Sequence, residues 1–249
     1  MTPVMRPVSI GVQAAAMIDC PCRVPLIVFA KLRKIDVKDP VDLAVVRRGR
    51  LIHAAFEQAA TRLDETGTIS DEAIATAEIA GTIATALPEL DTRTVIAQAA
   101  SLAATITARV AEEPEAKVVH ERRVSVLLVP GVKVSGRVDT VIERDDGWVL
   151  VERKTGQRRP WHARQVQLYA DMVLAAGSCQ RVARLELWYS GIEPGTVAVP
   201  HVPGDRLAAL RDDAARGVAL DPGTARQLVR DTCKGCPRLD CGVKRLARI

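Results

Sequence analysis

Residues 134–154, VSGRVDTVIERDDGWVLVERK, decide how this chain is read. Two runs rich in Val and Ile flank Asp146-Gly147, and that dipeptide between such runs signals a β-hairpin. Alternation along a strand puts Ser135, Arg137, Asp139 and Val141 on one face of the first run. It puts Trp148, Leu150, Glu152 and Lys154 on one face of the second. A two-residue Asp146-Gly147 loop pairs Trp148 with Asp145, and the same register sets Asp139 opposite Lys154 and Val141 opposite Glu152. Asp139, Glu152 and Lys154 are therefore expected on one face. A three-residue turn would break that parity unless a bulge restored it.

Two carboxylates and a lysine on largely apolar strands need a reason, because buried charge is costly unless paired or bound to metal. One reading is a cross-strand salt bridge on an exposed sheet face. The other is a hard-cation site. Carboxylate oxygens suit Mg2+ or Mn2+, and a lysine beside the ion can orient water and offset charge on a phosphate.

The chain has 249 residues, which fits one large domain or one domain with a helical insertion. Its formal net charge of +5 leans toward polyanionic partners. No stretch reaches the ~18 uninterrupted apolar residues of a membrane helix, and the N-terminus lacks a signal-peptide layout. The expected location is cytoplasmic. There the six cysteines are expected as metal ligands or free thiols rather than disulfides.

In chain order, residues 8–32 open with a short apolar stretch and reach Cys20-Pro21-Cys22, followed by a charged connector over 31–40. Leu51, Ile52, Ala55, Phe56, Ala59 and Leu63 give a helical stripe over 42–65, on which His53 follows Gly49 by four residues. Ala-rich helices are expected over 70–86 and 92–111. The period then changes to strand over 118–129, which carries Glu121 and Arg123, and Pro130-Gly131 turns into the hairpin. A basic loop (Arg158, Arg159, Trp161) leads to a helix over 161–176 with Gln165, Leu168, Tyr169 and Met172 on one face. Strands over 183–190 and 196–199, a helix over 205–217 and a basic tail from Thr224 complete the chain. The expected fold is α/β, a mixed central sheet flanked by helices with an inserted helical subdomain. It divides into an N-terminal segment (1–40), a helical subdomain (41–115), a core (116–202) and a C-terminal helix with cysteines (203–249), all within one domain.

Cys233, Cys236 and Cys241 are closely spaced soft ligands that suit zinc or an iron–sulfur cluster, with Cys20 or Cys22 as the donor of a fourth. Four-cysteine zinc sites use two C-x-x-C knuckles, so one cysteine plus three across the chain favours a 4Fe–4S cluster. Its expected role is a structural staple rather than redox chemistry. Cys179 reads as an ordinary small buried residue.

These residues carry a resemblance. Gly136-Arg137-Val138-Asp139, then Glu152-Arg153-Lys154-Thr155-Gly156, then Gln165-x-x-x-Tyr169 resembles the PD-(D/E)XK nuclease core, in particular its RecB-like exonuclease branch. That branch often carries a G-x-x-x-H helix ahead of the core, similar to Gly49 and His53. Its iron–sulfur members, including CRISPR-associated Cas-four-type nucleases and AddB-type proteins, pair one N-terminal cysteine with three near the C-terminus. Cys20 with Cys233, Cys236 and Cys241 resembles that layout.

The resemblance implies His53, Asp139, Glu152 and the backbone carbonyl of Arg153 as ligands of Mg2+ or Mn2+. Lys154 would be the catalytic lysine, and Gln165 and Tyr169 would position substrate or support that lysine. Glu152 stands where the RecB-like branch often has Asp. His53 as a packed core histidine and Gln165 and Tyr169 as helix–sheet packing are the plainer alternatives. Arg158 and Arg159 could grip phosphate and Trp161 stack a base, or the loop is simply solvated. Glu121 is a candidate supporting carboxylate. The implied activity is metal-dependent hydrolysis of DNA, as an exonuclease on single-stranded ends, in recombination and repair, phage DNA processing or CRISPR adaptation. A non-catalytic iron–sulfur DNA-binding or assembly protein is the alternative. No Walker A motif is present, so the chain carries no helicase motor of its own.

Overall fold

The computed structural model describes residues 7–16, 23–37, 51–54, 114–190, 194–233 and 241–248, with isolated positions and pairs between 93 and 112. A six-stranded mixed sheet forms the centre. It contains β1 (Val8–Gly11), β2 (Lys117–Val129), β3 (Val132–Glu143), β4 (Trp148–Lys154), β5 (Val182–Tyr189) and β6 (Gly195–Val199). The described helices are α1 (Val12–Ala16), α2 (Arg23–Leu32), α3 (Pro160–Ala175), α4 (Arg206–Ala219) and α5 (Pro222–Cys233), with a 3-10 segment at Gly242–Arg248. Residues 51–54 and the positions described between 93 and 112 are helical. The helix expected over 70–86 and most of that over 42–65 lie outside the described residues. Among the described residues no helix is long and apolar enough to cross a membrane.

Strand β3 is the hub. The antiparallel β2 runs along the whole of one edge, from Lys117↔Glu143 to Val129↔Val132. Two strands share the other edge. Parallel β1 covers Val132–Ser135, and antiparallel β4 pairs only Thr140, Val141 and Ile142. Residues 136–139 of β3 thus have no ladder partner on that edge, and Asp139 stands in the opening.

The hairpin corrects the expected register. Thr140 faces Val151, Val141 faces Leu150 and Ile142 faces Val149, a shift of two residues. The turn spans Arg144–Gly147, closed by Gly147 N–H to the Arg144 carbonyl at 3.2 Å, with Gly147 at φ +126°. Arg144 and Asp145 therefore leave the ladder. A shift of two keeps the paired side chains on their expected faces, whereas a shift of one would have inverted them.

Helix α3 crosses from β4 to β5, which run parallel. Pro160 starts it where a missing N–H costs nothing. Gly177 at φ +65° ends it, where Ser178 N–H reaches the Val173 carbonyl at 2.9 Å. Val166, Ala170, Met172 and Val173 are fully buried against Val138, Val141, Leu150 and Leu185. Each large side chain so buried contributes about 1.5–3 kcal/mol, which fixes α3 over the sheet. A second apolar cluster joins α2 to α5 and the 3-10 segment through Leu26, Phe29, Val229, Cys241 and Leu246.

Two elements depart from the sequence reading. The apolar stretch at 8–11 is a parallel strand, and the basic tail contains the 12-residue helix α5.

Candidate metal centre

Beyond Thr140 and Val151 the strands β3 and β4 splay, and side chains take over from the ladder. Arg153 N–H donates to Asp139 Oδ2 at 2.7 Å, and the Arg153 guanidinium donates to the Asp139 carbonyl oxygen at 3.2 Å. The same guanidinium nitrogen reaches Glu121 Oε1 at 3.1 Å. Arg153, whose side chain is wholly buried, thus fills the opening between the strands.

Glu152 and Lys154 point toward α3. Lys154 Nζ donates to Glu152 Oε1 at 2.7 Å and to Gln165 Oε1 at 2.9 Å, and Gln165 Nε2 donates to Glu152 Oε1 at 2.7 Å. This closed triangle holds the lysine head and one carboxylate oxygen in place. The exposed salt bridge of the plainer reading is therefore corrected. The pair exists, but it lies along one strand, with Glu152 buried and Lys154 half-buried.

The other oxygen, Glu152 Oε2, is buried and has no hydrogen-bond partner among the described residues. Asp139 shows the same division, with Oδ2 tied to the Arg153 amide while Oδ1 faces His53 Nδ1 at 3.7 Å, too far for a hydrogen bond. Each carboxylate is pinned through one oxygen and presents the other. Burial, and then the charge of Asp139, push the Glu152 carboxyl up to about 8. Burial also lowers the His53 pKa, offset in part by Asp139, and favours the neutral ring that ligates metal. An orphaned buried oxygen, two crowded acids and a neutral imidazole fit a hard divalent cation better than they fit an empty core.

Glu121 is nearer to this centre than the sequence indicated. Ligand atoms of His53, Glu121 and Asp139 lie within 4.8 Å of one another. Its backbone is left-handed at φ +53° in the middle of β2, a strained geometry for a non-glycine residue. Arg137 Nε at 3.0 Å and Arg153 hold the carboxylate there. An acidic residue interrupting a Val-rich strand was the available signal.

Tyr169 lies under the same strand. A Cβ on Gly136 would meet the Tyr169 hydroxyl at 2.7 Å and Val12 at 2.8 Å, so the glycine lets α3 and α1 close on β3. Burial, then Glu152 and Asp139, raise the Tyr169 pKa and keep the phenol protonated. The basic loop is partly committed. Lys154 Nζ sits 5.3 Å from the Trp161 ring centre, Arg158 stacks on Tyr189 at 5.1 Å, and exposed Arg159 bonds Gln157 at 3.1 Å.

Of the cysteines, Cys233 and Cys241 belong to the apolar cluster around α2, and Arg23 Nη1 donates to Cys241 Sγ at 3.5 Å. Cys20, Cys22, Cys236 and Gly49 lie outside the described residues. Cys179 is half-buried rather than buried.

No curated protein matches the chain significantly. Among solved structures, the crystal structure of SSO0001 is similar over 95% of this chain and 89% of that one, at 14% identity and a TM-score of 0.39. The family model of the PD-(D/E)XK nuclease superfamily matches residues 13–241, a span that takes in Asp139, Glu152, Lys154, Gln165 and Tyr169. The chain belongs to the PD-(D/E)XK nuclease superfamily, whose nucleases use divalent metal ions.

Proposed function

We propose that the protein is a Mg2+- or Mn2+-dependent deoxyribonuclease acting as an exonuclease on single-stranded DNA ends, in recombination and repair, phage DNA processing or CRISPR adaptation. The observation that carries this reading is the bare, buried Glu152 Oε2 beside Asp139 and a lysine fixed by Gln165. His53, Asp139, Glu152 and the Arg153 carbonyl would hold the ion, with Glu121 as a further carboxylate on the same centre. A bound divalent ion supplies Lewis acidity toward the phosphate and lowers the pKa of water.

The chain's own residues do the remaining work. Lys154 brings a positive charge to the place where negative charge develops on the phosphate. Gln165 holds Nζ from one side while Glu152 holds it from the other, so little reorganisation is needed at the moment of reaction. Tyr169 packs under β3 and supports Gln165. Trp161 borders the lysine, and with Arg158 and Arg159 of the same loop it would meet the strand near the scissile bond.

We also propose a 4Fe–4S staple held by Cys20, Cys233, Cys236 and Cys241. Support comes from the apolar cluster that packs Cys233 and Cys241 against α2, the helix that begins just after Cys20-Pro21-Cys22. The Arg23 guanidinium at Cys241 Sγ suits an electron-rich sulfur.

Lys154→Ala is expected to lower degradation of end-labelled single-stranded DNA with Mn2+ by about 10²-fold or more, the scale of losing one charge-stabilising donor. Equal degradation by variant and wild type would sink the assignment.

A further inference from the structure

The β2–β3 hairpin carries a groove of about 390 Å³ lined by Arg123, Ser125, Lys133, Ser135, Gly136 and Arg137. It adjoins the metal centre, because Arg137 precedes Asp139 by two residues, about 7 Å along a strand, and its guanidinium holds Glu121. The lining follows from register. Arg123 faces Arg137, Ser125 faces Ser135 and Leu127 faces Lys133.

Two arginines directly opposite each other on a sheet repel. Arg137 has Glu121 as counter-charge, but among the described residues neither Arg123 nor Lys133 has an ion-pair partner. The fold thus keeps like charges facing one another with two hydroxyls between them and Lys133, an arrangement that an anionic chain would relieve. At the outer end Leu127 is 57% exposed beside this row, an apolar surface against which an exposed base could pack.

We infer that this groove binds the backbone of single-stranded DNA and leads it into the Asp139–Glu152 centre, with phosphates on Arg123, Arg137 and Lys133 and a base against Leu127. The inference rests on the nuclease reading for its direction toward the metal site. Its binding test does not depend on cleavage.

Fluorescence anisotropy with labelled oligothymidine, on protein purified without oxygen and without added divalent metal, tests it. The double variant Arg123→Glu/Lys133→Glu is expected to bind at least ~10-fold more weakly than wild type. Its plot of log affinity against log salt should be shallower by about 1.4, the loss of two phosphate contacts on a single strand. The charge-matched control Arg211→Glu/Arg230→Glu, exposed on α4 and α5, is expected to stay within about twofold on general electrostatic grounds. Arg123→Gln/Lys133→Gln should give an intermediate loss, and circular dichroism confirms that each variant folds.

Undiminished binding by the groove variant, an equal loss in the control, or no binding by wild type overturns the groove. Tighter wild-type binding to a blunt duplex than to the single strand overturns the choice of ligand. A wild type that binds through the groove yet degrades nothing with any divalent metal sinks the nuclease reading and leaves the groove standing. Degradation that Lys154→Ala abolishes, with groove variants binding undiminished, does the reverse.

Discussion

At the scale of single residues, the centre is built by dividing each carboxylate. One oxygen of Asp139 accepts from the Arg153 amide, and one oxygen of Glu152 accepts from Lys154 and Gln165. Among the described residues the second Glu152 oxygen has no donor, and the second Asp139 oxygen faces His53 at 3.7 Å, the arrangement the proposed cation would complete. The cost appears in Glu152, whose carboxyl rises from the ordinary 4.5 to about 8. Between these values the metal-free folded state keeps a proton that the unfolded chain releases, so folded stability falls as pH rises through that window. A divalent ion displaces the same proton, so its stabilising effect must grow over the same range. Melting temperatures measured in steps across the window, with EDTA and with Mn2+, should diverge toward alkaline pH. In Glu152→Gln, which has nothing to deprotonate there, the difference should be small and flat. A wild-type difference that does not change with pH refutes this account of Glu152.

At the scale of elements, close approach matters more than propensity. Helix α4 packs on α2 at Gly217, where an added Cβ would lie 2.5 Å from the Pro25 carbonyl oxygen and 2.7 Å from Val28. Alanine is the better helix former by about 1 kcal/mol, but a backbone carbonyl cannot rotate away. Overpacking of about 1–3 kcal/mol should therefore dominate, and Gly217→Ala should lower the denaturant midpoint without changing the slope of the transition. A variant as stable as wild type would mean that the two helices slide apart at no cost. The same competition between local and distant forces decides what was legible in the sequence. The hairpin strands and α3 could be read because their periods are local, and the Gln165 face of α3 does meet Glu152. The register came out two residues off because nothing local distinguishes a two-residue from a four-residue turn around Asp146-Gly147. Strand β1 was hidden, since four residues gain their meaning only from a partner at Val132–Ser135. Helix α5 does carry a local signal within the basic tail. Asp221 caps it, accepting from Gly223 N–H at 2.8 Å and Thr224 N–H at 3.0 Å, with Pro222 in the first turn. Glu121 was read as a supporting group because its place beside His53 depends on a left-handed backbone in mid-strand that its sequence context does not announce.

At the scale of the whole molecule, the two ends of the chain serve one structure. Strand β1 completes the edge of β3 beside the Asp139 opening. The α2 segment that follows it packs against α5 and the 3-10 segment, with Arg23 reaching Cys241 across 218 residues of sequence. Cross-linking so long a loop removes entropy from the unfolded chain; a disulfide contributes typically about 2–4 kcal/mol in this way, and the proposed cluster would act in the same sense. The apolar cluster of α2 and α5 is small beside the core around α3, so the proposed 4Fe–4S staple would matter most to this part of the fold. Anaerobically purified protein is therefore expected to carry roughly four iron and four sulfide per chain, the content of one 4Fe–4S cluster. Cys241→Ser and Cys233→Ser should lose that iron and melt lower by roughly 4–16 °C, at 2–4 °C for each kcal/mol in a chain of this size. Limited proteolysis should then attack the region of α5 before the β2–β3 hairpin, because the sheet retains its own core. Zinc in place of iron would replace the cluster with a different staple on the same sulfurs. Unchanged melting in both serine variants would show instead that the apolar contacts of Leu26, Phe29 and Leu246 close the chain without help from any metal.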